Sequence, residues 1–483
     1  MSLTALLFTL STMSALDGLE PVAEDERAIT IEPTEVRYIE TRWNETVIRG
    51  RPWVPNRRLA TLAKGTRLVV RGVVQSRDKT GCNGKNWYAV YPFGFVCSNE
   101  VRASEKSPST SLALTIASDR NLPFDYVLVK DDGVPMYASE EAIANGTPKR
   151  NLSEGMSLAA GRTREVGGVA YVETVDGMLV PKEHLGWMGS GSAWSGVRLS
   201  DVGVGPAFAW TSRDKTTVYR EPSAKSEKVE EIARRKRVPL LDEAIVNDEG
   251  RWWKIDDERY VDAQHLNEVI IIPPPAGVLQ DGQRQRGNDQ WIDVDLGEQV
   301  LTAYRGETPV FTTLVSSGKS SPTPRGNYPI WAKVASMTMG NQDYEDKPYM
   351  VEHVPWVLLF QGHNALHGAY WHDRFGQRRS HGCVNLAPKD ARWIFEWVSP
   401  ALVEGWTGYL PGDLARSVIV HLRDTSLPEK EVFVQERPIG PPDPEEERRK
   451  AEEADTRRAD ARKADAAAVD AVAAHAPDPE GTL

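Results

Sequence analysis

The chain of 483 residues contains no apolar run as long as the roughly 18 residues a membrane-spanning helix needs, so no integral membrane segment is expected. It also lacks a basic surplus: 58 Lys and Arg stand against 69 Asp and Glu, for a formal net charge of −11. Binding nucleic acid takes a basic face, and no such stripe is present, so no nucleic-acid partner is expected. Cysteine is scarce. Cys82 and Cys97 lie 15 positions apart, and Cys383 stands alone far downstream. The simplest arithmetic is one Cys82–Cys97 disulfide and one free thiol, which suits an oxidising compartment with a reactive cysteine left over. The apolar run from Thr4 to Leu10 has the length of a secretion-signal core, but no Lys or Arg precedes it. Combined with the disulfide, it still favours export over retention.

What is present is an ordinary globular composition, 40% hydrophobic and 26% charged, in a chain too long for one core. Three segments before residue 270 end in a similar phrase. Trp87, Tyr88 and Val90 precede Phe95 and Val96; Tyr171 and Val172 precede Leu179 and Val180; Trp252, Trp253 and Ile255 precede Tyr260 and Val261. Each reads as two short strands across a polar turn, so the three segments read as small β-barrel modules. The second copy lacks the Trp. Ile270 to Gly277 reads as a strand end running into a stiff Pro-rich linker. After about residue 440 the charged, Ala-rich tail has no apolar stripe wide enough for a core and reads as solvated or marginally helical.

The densest cluster of reactive side chains falls between Gln361 and Asn385. The apolar run Val354–Phe360 before it reads as a buried strand, and Asp390–Val398 after it has helical spacing. Cys383 then sits on a tight loop in which Gly382 lets the backbone turn and consecutive amides are able to face one point. An ordinary thiol is mostly protonated at neutral pH, so a nucleophilic cysteine needs a base beside it. His367, Gly368, Ser380, His381, Gly382, Cys383, Val384 and Asn385 together carry the signature of the L,D-transpeptidase family, with its YkuD-type catalytic domain, and the segment resembles that family over residues 287–424. Trp291–Leu301, Ser317, Gly318, the Thr323–Gly326 turn and Ser417–Leu422 resemble its opening strands, its Thr-Pro-x-Gly turn and its closing strand. Ala369 departs from the small hydroxylated residue common in the family.

The resemblance implies a nucleophile at Cys383 and a general base at His367. It implies an oxyanion-binding loop of Gly382, Ser380 and His381 with the Gly382 and Cys383 amides, and substrate contacts at Asn385, Trp371 and, from a covering lid, Tyr349. It implies no cofactor and no metal. The partners would be peptidoglycan stem peptides, as acyl donor and acceptor, and the location would be the periplasm or cell envelope. The barrel phrases resemble the bacterial SH3-like domains that accompany cell-wall enzymes, and these would contact glycan or peptide or act as spacers.

The expected fold is therefore mostly β and multidomain. A leader and linker (1–29) precede SH3-like modules at 30–105, 106–203 (the weaker match) and 204–270. A Pro-rich linker (271–286), the catalytic domain (287–424, with a short helix) and the tail (425–483) follow. Three rival functions differ in outcome. With water as acceptor the enzyme would be an L,D-carboxypeptidase. His363 and His367 at i, i+4 with His381 and Cys383 would suit a zinc hydrolase, but a strand context would not put that spacing on one face. A catalytically dead wall-binding protein is the third.

Overall fold

The computed structural model describes residues 29–427 apart from 44–45, 53–57, 76–81, 83–84, 109–119, 203–206, 276–277, 279–288, 320–322, 341–348, 404 and 413. The leader, most of the Pro-rich linker and the tail beyond 427 lie outside the described residues. The chain is mostly β, with 51% of residues in strands and 7% helical. The described residues up to Met339 and from Tyr349 onward fall in one compact unit.

Each repeated phrase folds into a small antiparallel module. In the first, the strands from Tyr38–Thr41 to Val101–Ser104 close around Ile39, Ile48, Leu68 and Val96, and Cys82 is bonded to Cys97 with Sγ–Sγ at 2.05 Å. One strand here, β1 (Arg58–Leu62), matters below. In the second, β2 (Asp125–Val129) pairs with β3 (Ser157–Val166) around Val127, Leu158, Val172 and Val180. The third, from Phe208 to Glu268, buries Ala209, Val218, Val238 and Val261. Trp87, Tyr171 and Trp252, the aromatics that mark the three phrases, are all buried. They are core residues and offer no binding face.

The C-terminal domain is built on strands that are nearly all buried, as expected where both faces are covered, although they carry buried polar residues such as Asp293, Asp295 and Thr313. β4 (Gln290–Asp295) lies between β5 (Val300–Arg305), antiparallel, and the last strand, parallel. β6 (Thr308–Ser316) pairs with β5 along most of its length and passes to a second set of strands at Val315 and Ser316. β7 (Gly326–Pro329) and β8 (Ala332–Gly340) follow. β9 (Met350–Gln361) contains the expected buried run and forms a hairpin with β10 (Asn364–Gly368). β11 (Val384–Leu386) lies parallel to β10 and antiparallel to the end of β6. Helix α1 (Pro388–Trp397) starts with Pro at its first turn and buries Ala391, Ile394 and Phe395 in the core that also holds Leu358 and Leu366. β12 (Trp406–Tyr409) and β13 (Ile419–Arg423) close the domain, β13 pairing with β4 and β7.

The modules are joined to this domain through backbone as well as side chains. β1 pairs with β12, setting Ala60 opposite Tyr409 and Leu62 opposite Trp406. β3 meets β9 in parallel at Ser157 and Val351. From the third module, Trp210 packs with Ala369 and Phe375, and Arg235 donates to Asp373 Oδ1 at 2.7 Å.

Candidate active site

The parallel pairing of β10 with β11 organises the site. It sets His367 opposite Asn385 and Leu366 opposite Val384. Cys383 lies in the bend immediately before β11, one residue ahead of the strand that pairs with β10. His363 and His367 lie on a hairpin and not on a helix, so their i, i+4 spacing does not make them neighbours on one helical face. Among the described residues no three His, Cys, Asp or Glu side chains are grouped to hold a metal ion.

The turn before Cys383 is fixed from several sides. Gly382 has φ +142°, and a Cβ there would lie 2.6 Å from Asn364 Oδ1, so glycine is required. Thr323 Oγ1 donates to the Gly382 carbonyl at 2.8 Å and accepts from the Gly318 amide at 2.9 Å. Ser317 O accepts from the Arg379 and Ser380 amides, and Gln299 holds Ser317 from behind through both its amide oxygen and its amide nitrogen. Ser380 Oγ donates to the Cys383 carbonyl and accepts from the Gly382 amide at 3.1 Å. Ser380 is thus a loop-shaping residue, and the Gly382 amide, expected to face an oxyanion, is engaged with it.

Cys383 is the free cysteine among the described residues and is half-buried. Its Sγ lies 3.7 Å from the His363 carbonyl. Burial pushes its thiol above the ordinary range, opposed by the Ala365 amide. His367 is buried, its Nδ1 lies 3.3 Å from the Gly368 carbonyl, and burial drives its pKa down to about 4. No hydrogen bond joins the two residues. Burial favours the uncharged form of both, a neutral thiol and a neutral imidazole. Unliganded catalytic contacts are often long and tighten only around substrate.

The remaining expected residues distribute unevenly. Trp371 is half-buried and leans over His367 with ring centroids at 5.7 Å. Tyr349 stacks on His381 at 5.2 Å, and burial, with the nearby Cys383, pushes its phenol up to about 12. The Asn385 side chain is buried; its Nδ2 lies 2.9 Å from His372 Nε2, and its Oδ1 has no hydrogen-bond partner among the described residues. Sequence reasoning passed over Tyr370, which stacks on Tyr126 of the second module at 3.5 Å. An aromatic pair in the loop after the base was a signal, but nothing local points to its partner 244 positions upstream.

The domain thus brings a lone thiol to the start of β11, after a glycine turn, and a buried imidazole to the neighbouring strand β10. Residues 289–420 match the family model for the L,D-transpeptidase catalytic domain, YkuD. YciB of Bacillus subtilis (strain 168), whose own assignment as an L,D-transpeptidase is provisional, is 26% identical over 120 residues. The match covers 22% of this chain and 59% of YciB's length. Among solved structures, the catalytic domain of the E. faecium L,D-transpeptidase is 23% identical over 29% of this chain and 100% of that one, with a TM-score of 0.22. The L,D-transpeptidase from Mycobacterium smegmatis is 17% identical over 39% of this chain and 90% of that one, with a TM-score of 0.23.

Proposed function

We propose that the protein is a peptidoglycan L,D-transpeptidase of the periplasm or cell envelope, acting through a thioester on Cys383. The observation that supports this reading is the parallel pairing of β10, which carries His367, with β11, which follows directly on Cys383, within the segment that matches the family. His367 takes the Cys383 proton as the sulfur attacks the carbonyl that precedes the terminal D-amino acid of a stem peptide. The tetrahedral oxyanion is met by the amide of Cys383. His367 then returns the proton to the leaving nitrogen, the C–N bond breaks, the D-amino acid departs and a thioester remains. An amine from a neighbouring stem attacks the thioester, restoring the thiol and forming the crosslink. Tyr349 and Trp371 flank the reactive pair and are assigned to substrate contact.

If water resolves the thioester, the same site is a carboxypeptidase. Incubation with a disaccharide-tetrapeptide, followed by intact mass spectrometry, separates these outcomes. A covalent adduct in wild type and none in Cys383→Ala, with crosslinked dimer, supports the transpeptidase. Trimmed tripeptide alone supports the carboxypeptidase, and no adduct under any condition rejects the acyl-enzyme.

A further inference from the structure

Tyr126 lies far outside residues 289–420, yet it is fully buried among the residues of the catalytic core. Along β2, Val127 and Val129 point into the second module's own core, so alternation sends Tyr126 to the opposite face. A strand face pointing away from its own core is ordinarily solvated. Here it is covered by the catalytic domain.

The contacts converge on both flanks of the reactive pair. On the His367 side, the Tyr126 ring stacks on Tyr370 with centroids 3.5 Å apart and planes 18° apart. Tyr370 meets Trp371 edge-on at 5.0 Å, and Trp371 leans on His367. Tyr370 Oη lies 2.9 Å from Ser157 Oγ of β3 and donates to the Glu352 carbonyl at 2.9 Å. On the Tyr349 side, the same module grips the first residues of β9. Ser157 pairs with Val351, the Ala159 amide donates to Glu352 Oε2 at 3.1 Å, and Tyr126 Oη donates to the His353 carbonyl at 2.8 Å. His353 has φ +47°, a conformation that persists in a non-glycine residue only where the surroundings impose it.

We infer that the second module is a wall of the reactive site, and that Tyr126 is a positioning residue holding His367 through Tyr370 and Trp371, and Tyr349 through the first residues of β9. The inference rests on the transpeptidase reading of the site and adds that residues outside the catalytic domain set its geometry. A module that merely stabilised the chain would leave the reactivity of the folded enzyme unchanged.

The test compares three full-length variants. Tyr126→Leu removes the stacked ring and the hydroxyl, Tyr126→Phe keeps the ring, and Val180→Ala opens a cavity in the second module's own core. Each is assayed well below its thermal midpoint for acylation of Cys383 by a carbapenem across pH 4 to 9, and for alkylation of Cys383 by iodoacetamide. A displaced catalytic group costs on the order of tenfold or more, so Tyr126→Leu should acylate at least about tenfold more slowly. Its acid limb should also rise by about one pH value, as His367 loses its dry surroundings. Val180→Ala should stay within about threefold, with the limb unmoved, and Tyr126→Phe, which keeps the stacked ring but loses the bond to the His353 carbonyl, should fall between it and Tyr126→Leu. Equal acylation rates and equal limbs in Tyr126→Leu and Val180→Ala overturn the inference. Iodoacetamide needs no transpeptidase chemistry, so wild type that alkylates but takes no acyl group rejects the functional reading instead. If Tyr126→Leu does not fold, Ser157→Ala, which removes one of the two partners of the Tyr370 hydroxyl, should slow acylation at least about fivefold, beyond the range of Val180→Ala, and raise the limb. An unchanged rate and limb there overturn the inference equally.

Discussion

The acid limb of the reaction tests the buried-base account most directly. An imidazole with an ordinary pKa near 6.5 is about three-quarters neutral at pH 7 and about 3% neutral at pH 5, so a rate that needs the neutral ring would fall about 25-fold between them. Burial holds His367 at about 4, and at that value the ring is still about 90% neutral at pH 5 and about half neutral at pH 4. The sign follows from the dry environment, which penalises the charged ring and so extends the working range toward acid. Burial also raises the Cys383 thiol, so no alkaline loss of the protonated thiol is expected until above the ordinary thiol range. The measurement is the second-order rate of carbapenem acylation, followed by intact mass at constant ionic strength from pH 4 to 9. A plateau from pH 5 upward with a half-maximum near pH 4 is expected. A half-maximum near pH 6.5 would refute the neutral-pair reasoning, since it would require a solvated imidazole.

Three further outcomes are expected. Gly382→Ala should reduce acylation at least about 100-fold, because a Cβ would meet Asn364 Oδ1 at 2.6 Å in a backbone conformation that favours glycine; a near-normal acylation rate would contradict the geometry. Replacing Cys82 and Cys97 by Ser removes a bridge across 15 positions and should cost about 3 kcal/mol, read as a lower midpoint in chemical denaturation; an unchanged midpoint would show that the bridge adds nothing. Burial raises the Glu352 carboxyl to about 7, so folding favours its protonated form, and the stability this gives is complete below about pH 4.5 and lost as pH rises through 7. Glu352→Gln should therefore match wild type at pH 5 and exceed it by up to about 3 kcal/mol at pH 8.5; the same difference at both pH values would contradict the assignment.

The reactive segment was legible because its chemistry is local. Gly382, Cys383 and the Val354–Phe360 run announce a turn and a strand by residue type alone, and α1 shows its period of 3.6 between Asp390 and Trp397. The state of the pair was not legible. That His367 and Cys383 are both neutral follows from burial, which depends on segments that cover them from elsewhere in the chain. The contact of Asn385 Nδ2 with His372, thirteen positions away, was likewise not legible, because only the folded loop creates it. The second module shows the same limit. Its phrase lacks a Trp and reads as the weakest of the three, yet Tyr126 and Ser157, which lie outside that phrase, join it to the site.

The pairing of β1 with β12 bears on the order in which the chain matures. Trp406 and Tyr409 complete the apolar interior of the first module, and Thr61 Oγ1 meets Thr407 Oγ1 across 346 positions. A ribosome or export channel that releases the N-terminus first delivers a barrel still missing two of its largest side chains. That segment must wait, part-formed, for nearly the whole polypeptide to emerge, so closure by such distant residues makes its assembly late and slow. A module encoded before residue 105 is finished only once residues 406–409 are in place.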